Sequence, residues 1–361
     1  MKIMHVCETV TGGIATYLNN IVAEQARRPE VSDVSVVLPG AQVDEINFGD
    51  TDGLDDKIHM LEFPGESRIQ RLRHLAMRLS GAIDEASPDV IHVHSTFAGF
   101  LCRALPVSYR GAKLIYQPHG VAFDPHRISG IKKRGIQWVE RMLYQRTDGI
   151  VAISEYEQAL LERAGMGDKT LLIKNCVRDT RETIGSERKE DFYLFIGRFD
   201  RQKGFDRLYD FWDESREKLK IVGGNVVDAD ASFAPRDNME FLGWLDNTTL
   251  DGLIARAKAL IVPSRWEGFG LVVLEAYRNA TPVICSNRGA LPELVREGDT
   301  GFVFDFDDFA ASLGQAIERF EQCDQAAMGS RCRTCYEREF SPASMNTELL
   351  KLYQPNGRCY V

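Results

Sequence analysis

The chain has 361 residues and a net charge of −9, with 44% apolar and 27% charged residues. That length exceeds the roughly 250–300 residues that one hydrophobic core supports, so we expect two domains, and the composition is typical of a soluble globular enzyme. No stretch approaches the ~18–20 apolar residues of a membrane span, and the first residues lack a signal-peptide pattern, which together predict a cytoplasmic protein.

Charge is unevenly distributed in the first part of the chain. Residues 1–66 carry four basic and twelve acidic side chains, whereas residues 67–146 carry thirteen basic and five acidic ones. A basic block in an acidic protein indicates either an anionic surface or ligand, or only a solvated helical face. Basic-aromatic RNA-binding motifs and zinc-finger spacings are absent from the sequence, so no nucleic acid partner is expected.

Short apolar runs alternate with amphipathic segments, which predicts βαβ units and parallel sheets. Strands are predicted where the apolar run is nearly continuous, at Lys2–Cys7, Val34–Leu38, Val90–His94, Lys113–Gln117, Gly149–Ile153, Phe192–Ile196, Leu219–Val222, Ala259–Val262 and Pro282–Ser286. Helices are predicted at Thr16–Ala26, Ile69–Ala86, Gly135–Arg146, Tyr156–Ala164, Leu271–Ala280 and Pro342–Tyr353. The polar stretch 177–191 is the predicted linker between domains at 1–177 and 178–338, and a final helix and tail occupy 339–361.

Paired glycines follow the first predicted strand, and histidines are confined to the same half of the chain. Gly12 and Gly13 stand where a helix begins, which suits either close approach to a ligand or an ordinary tight turn. The dinucleotide pattern GxGxxG is missing, which disfavours a nicotinamide-dependent oxidoreductase.

All seven histidines lie between His5 and His126, so any catalytic imidazole comes from the N-terminal half.

Two basic side chains lie on the loop after the predicted strand Phe192–Ile196. Residues 197–204 read Gly-Arg-Phe-Asp-Arg-Gln-Lys-Gly. Arg198 and Lys203 therefore place a guanidinium and an ammonium beyond the carboxyl end of a strand, where phosphate recognition requires such groups. The alternative is a polar loop with two surface cations.

The segment 264–276 is the strongest signal. Gly268 and Gly270 precede a helix that begins at Leu271, whose free N–H groups and dipole suit a phosphate. Glu267 lies on the loop, and Glu275 lies one turn into the helix, where a carboxylate can accept two hydrogen bonds from a diol. Two unrelated surface acids are the alternative interpretation.

Together, these three segments resemble the family 4 retaining glycosyltransferases of bacterial surface-polysaccharide type. The resemblance extends over nearly the whole chain and includes the segments Asp89–His94, Pro118–Gly120, Val151–Ser154 and Phe340–Tyr353. It implies an α/β GT-B fold, in which two Rossmann-like parallel-sheet domains face a central cleft. It also implies that the last helix crosses back to the N-terminal domain.

The resemblance assigns roles to individual residues. The implied catalytic residues are four. His119 would lie beside the reacting sugar, Arg198 and Lys203 would bind the donor diphosphate, and Glu267 would contact the sugar hydroxyls. The implied donor-binding residues are Gly13, Gly197, Arg198, Lys203, Glu267, Gly268, Phe269, Gly270, Leu271 and Glu275. Within this set Glu275 would hold the ribose hydroxyls, and the backbone N–H groups of Gly270 and Leu271 would meet a phosphate. The family's Asn-Gly-Val-Asp reads Asn175-Cys176-Val177-Arg178 here, which puts a role for that asparagine in doubt.

The activity implied is retaining transfer of a hexose or N-acetylhexosamine from a nucleotide diphosphate sugar, with a UDP-sugar favoured. The acceptor is a glycan or lipid-linked glycan of surface polysaccharide or lipopolysaccharide biosynthesis. No cofactor or metal is expected, because cationic side chains stand where a metal would otherwise sit, and the pairs Asp228/Asp230 and Asp305/Asp307 lie outside the three segments. The alternatives are another GT-B activity, such as an epimerase or phosphorylase, and a non-catalytic sugar-binding partner.

Two further patterns carry open interpretations. The basic amphipathic stretch 67–83 and the cluster Lys132-Lys133-Arg134 suit peripheral contact with the anionic cytoplasmic face of the inner membrane. Alternatively, the apolar face of 69–83 packs on the sheet. Cys332 and Cys335 have CxxC spacing without partner ligands, which favours a structural thiol pair over a zinc or redox site.

Overall fold

The structure is a computed structural model that describes residues 1–49, 51, 53–54, 56–180, 189–225 and 233–354. The chain forms two compact units, one containing residues 1–177 with the segment that begins at 342, and the other containing residues 178–341. Residues 181–188 of the predicted linker and the pair Asp228/Asp230 lie outside the described residues. Among the helices that are described, none has the length and apolar content needed to cross a bilayer.

The first unit contains a parallel sheet with the strand order β3-β2-β1-β4-β5-β6-β7. Its strands are β1 (Lys2–Cys7), β2 (Asp33–Pro39), β3 (Ile58–Phe63), β4 (Val90–His94), β5 (Lys113–Gln117), β6 (Gly149–Ala152) and β7 (Thr170–Leu172). The helices between them are Gly13–Ala26, Arg68–Ala86, Thr96–Ala104, Gly130–Tyr144 and Glu155–Arg163, with short 3₁₀ turns at Gly40–Glu45 and Gly167–Lys169. The register pairs His5 on β1 with His92 on β4.

The second unit contains a parallel sheet with the strand order β10-β9-β8-β11-β12-β13. Its strands are β8 (Tyr193–Ile196), β9 (Leu219–Val222), β10 (Met239–Gly243), β11 (Ala259–Val262), β12 (Val283–Ser286) and β13 (Gly301–Phe304). Its helices are Phe205–Phe211, Asn247–Arg256, Leu271–Arg278, Leu291–Leu294, Phe309–Glu321 and Gln325–Glu339. Aromatic side chains, among them Phe195, Phe205 and Phe320, make up much of the core of this unit.

The predicted strands are confirmed at every interior position of both sheets. The strands that the sequence did not predict are β3, β7, β10 and β13, which are the edge strands. Interior parallel strands are buried on both faces and read as continuous apolar runs. In the edge strand β10, exposed and half-exposed residues follow Met239, so its apolar pattern is interrupted, whereas the edge strand β13 is mostly buried.

The helices Arg68–Ala86 and Gly130–Tyr144 of the first unit both begin directly after a serine N-cap. The helix Arg68–Ala86 begins at a capping box, in which Ser67 Oγ accepts from the Gln70 N–H and Gln70 Oε1 accepts from the Ser67 N–H. The helix Gly130–Tyr144 begins five residues before its predicted start at Gly135, directly after its N-cap Ser129. The basic residues of 132–134 therefore lie within the helix, which suits their favourable helix propensity.

The final helix, Pro342–Tyr353, belongs to the first unit, as the family resemblance implied. It packs on the helix Gly13–Ala26, and Leu349 lies within the core of this unit. Its last residues are bound to the sheet, because Lys113 Nζ donates to the Leu352 carbonyl at 2.6 Å and Tyr353 Oη lies 2.5 Å from His92 Nδ1. The chain thus returns to its N-terminal sheet after completing the second unit.

Candidate active site

In the second unit the chain reverses its direction across the sheet between β8 and β11. From these two neighbouring strands the connections run outward to opposite edges, and ligands of open α/β sheets bind beyond the carboxyl ends at such a point. The loop 197–204 follows β8, and the loop 263–270 follows β11. The topology therefore brings the two predicted ligand segments of this unit together.

Glycines allow the two loops to touch. Gly204 has a φ of +68°, and a Cβ at this position would lie 2.0 Å from the Pro263 carbonyl oxygen. Gly270, with a φ of +102°, precedes the helix Leu271–Arg278, and no side chain caps that helix. A left-handed backbone at both positions favours glycine, and the uncapped helix leaves backbone N–H groups for a ligand.

Lys203 and Glu267 form an ion pair across the two loops. Lys203 Nζ lies 2.6 Å from Glu267 Oε1, and their side chains are 22% and 7% exposed. Ser264 Oγ donates to the same carboxylate oxygen at 2.8 Å. The second oxygen of Glu267 and the remaining Lys203 protons are therefore the groups that a ligand can engage.

Arg198 is held at the start of the same loop. Its guanidinium lies 3.0 Å from Asp200 Oδ2 and donates to Gln202 Oε1 at 3.1 Å. Gln202 in turn donates to the Trp266 carbonyl on the other loop at 3.2 Å. A guanidinium has five N–H donors, so these contacts orient Arg198 while leaving donors for an anion.

Glu275 is a half-buried acid on the helix Leu271–Arg278. Within the part of the chain that the structure describes, no hydrogen bond or ion pair engages its carboxylate. Burial raises its pKa, and the positive charges of Arg278 and Lys203 oppose that effect. A half-buried carboxylate without a hydrogen-bond donor is poorly solvated, so a ligand that supplies hydroxyl donors would stabilise it.

The remaining predicted donor residues of this unit lie on the same two loops but differ in what they expose. Gly268 and Leu271 are half-buried on either side of the glycine turn. The Phe269 ring is buried and packs edge-on against Phe340, so only its backbone is available to a ligand. The Gly197 N–H donates to the Val222 carbonyl, which ties the loop to the neighbouring strand.

Trp244 is a candidate that the sequence analysis missed. It follows β10 directly, at the same sheet edge as the two loops, and its side chain is 58% exposed. Its indole nitrogen lies 3.4 Å from the position of a Cβ built on Gly224, which follows β9. The available signal was an aromatic residue after a strand, but β10 itself was not predicted.

In the first unit, the predicted residues occupy the equivalent sheet edge. Gly13 begins the helix after β1, which is uncapped by any side chain, and a Cβ on Gly12 would meet no atom within 4 Å. His119 follows β5 and is half-buried, with a φ of +54° that is uncommon for a non-glycine residue. Such strain concentrates at functional sites.

Glu157 holds the loop that carries His119. Its two carboxylate oxygens accept from the Gly120 N–H at 2.8 Å and from the Ile153 N–H at 2.9 Å. Burial raises the pKa of this carboxyl to about 7, against the opposing effect of these backbone donors. Glu157 was not among the predicted residues, although Ser154-x-x-Glu157 has capping-box spacing and Ser154 does cap the helix Glu155–Arg163.

Other acids noted in the sequence have side-chain partners, and the two noted thiols are buried. Asp305 accepts from Asn287 Nδ2 at 2.9 Å, and Asp307 pairs with Arg288. Cys332 and Cys335 are buried on the helix Gln325–Glu339, and burial raises the pKa of both thiols. Such thiols are inert, which favours a structural role.

Comparison with known proteins identifies both halves of the chain. The family model described as "Glycosyl transferase 4-like domain" matches residues 12–176, and the model described as "Glycosyl transferases group 1" matches residues 177–334. An uncharacterised 41.2 kDa protein in the cps region of Klebsiella pneumoniae is 34% identical over 326 residues, which cover 85% of this chain and 87% of that protein. An Escherichia coli UDP-Gal:alpha-D-GlcNAc-diphosphoundecaprenol alpha-1,3-galactosyltransferase is 22% identical over 84% of this chain and 85% of its own length.

Solved structures share the fold over almost the full length. Sucrose-phosphate synthase from Thermosynechococcus elongatus matches with a TM-score of 0.76 and 20% identity, covering 98% of both chains. Anabaena HepE in complex with UDP-glucose matches with a TM-score of 0.72 and 19% identity, covering 97% of this chain and 98% of that one. These likenesses bear out the two-sheet architecture expected from the sequence.

Proposed function

The chain belongs to the family 4 type of glycosyltransferases with the GT-B fold, and from this we propose its reaction. It transfers a hexose or N-acetylhexosamine, with retention of configuration, from a UDP-sugar to a glycan or lipid-linked acceptor. The product belongs to surface polysaccharide. The encoding of its Klebsiella pneumoniae relative in the cps region supports this assignment.

One observation carries the proposal: the Lys203–Glu267 pair and the unpaired Glu275 share one sheet edge with an uncapped helix N-terminus. Each group matches a different part of a nucleotide sugar. Lys203, Arg198 and the N–H groups at Gly270 and Leu271 suit the diphosphate. Glu275 suits the ribose hydroxyls, and the free oxygen of Glu267 suits the sugar hydroxyls.

The proposed mechanism relies on these charges. When the bond between the anomeric carbon and the diphosphate breaks, negative charge grows on the leaving oxygen. Lys203, Arg198 and the helix N-terminus stabilise that charge, because they are oriented before the reaction begins. The acceptor oxygen then attacks the face that the diphosphate leaves, and the leaving phosphate takes its proton. The family resemblance further assigns His119 to the reacting sugar and Gly13 to the diphosphate or the acceptor.

UDP as the nucleotide is supported by the relatives. HepE was solved with UDP-glucose, and the name of the Escherichia coli relative specifies UDP-Gal. A thermal-shift panel of nucleotide sugars tests the choice, since a ligand at about 100 times its Kd stabilises a protein by roughly 2.7 kcal/mol. We expect UDP-sugars to raise the Tm and Glu275→Ala to abolish the shift. Glu318→Ala, which removes an exposed acid of the same unit, is the matched control. A shift with GDP-mannose alone would refute the UDP assignment.

Metal-independent, retaining transfer is part of the proposal. The cations at the sheet edge supply positive charge, and Asp305 and Asp307 are occupied by Asn287 and Arg288. We expect equal transfer rates with EDTA and with Mn²⁺, and NMR of the product should show the anomeric configuration of the donor. Loss of activity in EDTA with rescue by Mn²⁺ or Mg²⁺, or an inverted product, would contradict this part.

Peripheral contact with an anionic membrane is the last part of the proposal. The helix Thr96–Ala104 contacts both Arg68–Ala86 and Gly130–Tyr144, and these three helices expose large apolar side chains. The exposed set is Ile69, Met77, Phe97, Phe100, Ile131, Trp138 and Met142. Of the predicted face on 69–83, Leu75, Leu79 and Ile83 pack on the sheet, whereas Ile69 is 82% exposed. The packing interpretation therefore holds for these three residues, and the exposed Ile69 supports the proposed membrane contact.

Basic residues accompany this exposed apolar surface. Lys132 and Arg134 are exposed beside Ile131, and the Arg68 guanidinium lies 5.0 Å from the Phe97 ring centroid. Apolar side chains surrounded by Lys and Arg suit the interface of an anionic bilayer, where each cation contributes about 1 kcal/mol. A lipid-linked acceptor would be reached from the cytoplasmic face of the inner membrane.

Vesicle co-sedimentation with phosphatidylglycerol tests the membrane contact. We expect binding at low salt that weakens at high salt, and loss of binding when Lys132, Lys133 and Arg134 are changed to Glu. Trp138→Ser should also weaken binding, whereas Trp244→Ser, which removes a comparably exposed indole of the second unit, should not. Protein that stays in the supernatant at low salt would leave a soluble acceptor as the better assignment.

A further inference from the structure

Four histidines lie close together in the first unit. Three of them, His5, His94 and His119, form a linear chain of hydrogen bonds that ends at Gln25 and is called the histidine file below. His5 Nε2 lies 2.8 Å from Gln25 Oε1, and His5 Nδ1 lies 3.0 Å from His94 Nε2. His94 Nδ1 lies 3.0 Å from His119 Nε2. The file runs from the helix Gly13–Ala26 through β1 and β4 to the loop after β5, and it ends at the predicted catalytic histidine.

The three imidazoles are neutral near pH 7. His5 and His94 are fully buried, and burial lowers the pKa of His5 to about 4 and that of His94 well below its usual range. Desolvation also lowers the pKa of His119, to about 3. A neutral imidazole has one N–H donor and one acceptor nitrogen, so each ring in the file must donate on one side and accept on the other.

This requirement gives the file one direction. In the amide orientation of the structure Gln25 Oε1 faces His5 Nε2, and in that orientation it can only accept, so His5 carries its proton on Nε2 and presents Nδ1 as an acceptor. His94 must then donate from Nε2, which leaves its Nδ1 to accept from His119 Nε2. At the far end, Gln117 presents its amide nitrogen to His119 Nδ1 at 3.5 Å, which agrees with an acceptor at that atom.

We propose that Gln25, His5 and His94 are positioning residues that fix His119 in the Nε2–H form. His119 Nδ1 is then an acceptor, so it can take a sugar hydroxyl in place of the weak 3.5 Å contact from Gln117 and cannot donate a proton to that hydroxyl. The sugar contact rests on the proposed function, whereas the tautomer does not. The left-handed backbone of His119 and the anchoring of Gly120 by Glu157 fix the ring at the end of this file.

The tautomer is measurable without any substrate. In ¹⁵N–¹H correlation spectra of histidine-labelled protein, a protonated ring nitrogen and an acceptor nitrogen have widely different shifts. The His119 signals are assigned by their loss in His119→Asn. We expect Nε2 to be protonated and Nδ1 to be unprotonated from pH 6 to pH 8. A proton on His119 Nδ1 in the wild-type protein would overturn the proposal.

Two variants interrupt the file at different points. His94→Phe removes the middle ring while keeping its approximate volume, and Gln25→Leu removes the terminal acceptor. In both, we expect the His119 nitrogen shifts to move towards the average of the two tautomers. His126→Phe, which removes an exposed histidine outside the file, should leave them unchanged. If one interrupting variant does not fold, the other still decides the outcome, and unchanged His119 shifts would refute a positioning role.

Activity separates positioning from simple support of the fold. Loss of one oriented hydrogen bond to the sugar should lower kcat/KM about tenfold in each interrupting variant. The affinity for UDP, which lacks the transferred sugar, should stay the same. A lower Tm with unchanged His119 shifts would indicate a structural role only. Normal shifts in a protein that transfers no sugar would contradict the proposed function and leave the tautomer assignment intact.

A metal ion is the competing occupant of the cluster. Ring nitrogens of His5, His92 and His94 lie within 4.8 Å of one another, a spacing that could hold one. A metal would take nitrogens that the file uses for hydrogen bonds, so both cannot exist together. Elemental analysis of the purified protein should find less than stoichiometric transition metal, and one equivalent bound at this cluster would overturn the file.

Discussion

Replacing Lys203 by Met separates the two roles that the structure gives this lysine. Its ammonium neutralises Glu267 at 2.6 Å, and it is also the proposed ligand of the donor diphosphate. Methionine keeps most of the side-chain volume and removes the charge. Removing one partner of a fully buried ion pair costs about 3–5 kcal/mol. Lys203 is 22% exposed, and Ser264 still donates to Glu267 in the variant. We therefore expect the free energy of unfolding to fall by about 2 kcal/mol.

The double variant Lys203→Met/Glu267→Gln tests the origin of that loss. Without the carboxylate there is no uncompensated charge, so most of the lost stability should return. Urea titrations of the wild type, the two single variants and the double variant give the coupling free energy between the two residues. Transfer should not return, because loss of a preorganised charge at a leaving group costs ~10²–10³ in rate. Recovery of kcat/KM in the double variant would refute the diphosphate role and leave Lys203 as a counter-ion. An unchanged free energy of unfolding in Lys203→Met would refute the buried pair.

Two other predictions concern the same sheet edge. Glu275→Gln should unfold at higher urea than the wild type at pH 7.5, since a raised pKa means that the ionised acid destabilises the folded state. This gain should disappear as the pH falls below about 4.3, where both states are protonated, and equal stabilities at pH 7.5 would contradict the burial argument. Gly204→Ala should destabilise the protein and abolish the thermal shift with UDP-sugars, because its Cβ would lie 2.0 Å from the Pro263 oxygen. A UDP-sugar shift of wild-type size would show that the loops need not approach so closely.

Local chemistry made part of this site predictable. The glycines at 204 and 270 act through their own backbone angles, and the helix after Gly270 begins where the apolar pattern begins. Arg198, Lys203, Glu267 and their order along the chain are visible without a structure. The ion pair between Lys203 and Glu267 joins residues 64 positions apart, so only the adjacency of β8 and β11 reveals it.

The interior of each sheet was determined by the sequence alone, because burial on both faces requires continuous apolar runs. The edge strands β3, β7 and β10 were decided by tertiary contacts, since their half-exposed residues interrupt the apolar pattern, whereas β13 is mostly buried and was missed for no such reason. The histidine file was likewise decided by tertiary contacts. His5, His94 and His119 lie on three separated segments, and nothing in the order of residues shows that their ring nitrogens meet at 3.0 Å. The sequence determines which chemical groups are present and which local hydrogen bonds form within each helix or turn. Hydrogen bonds between distant elements depend on the packing of the whole unit.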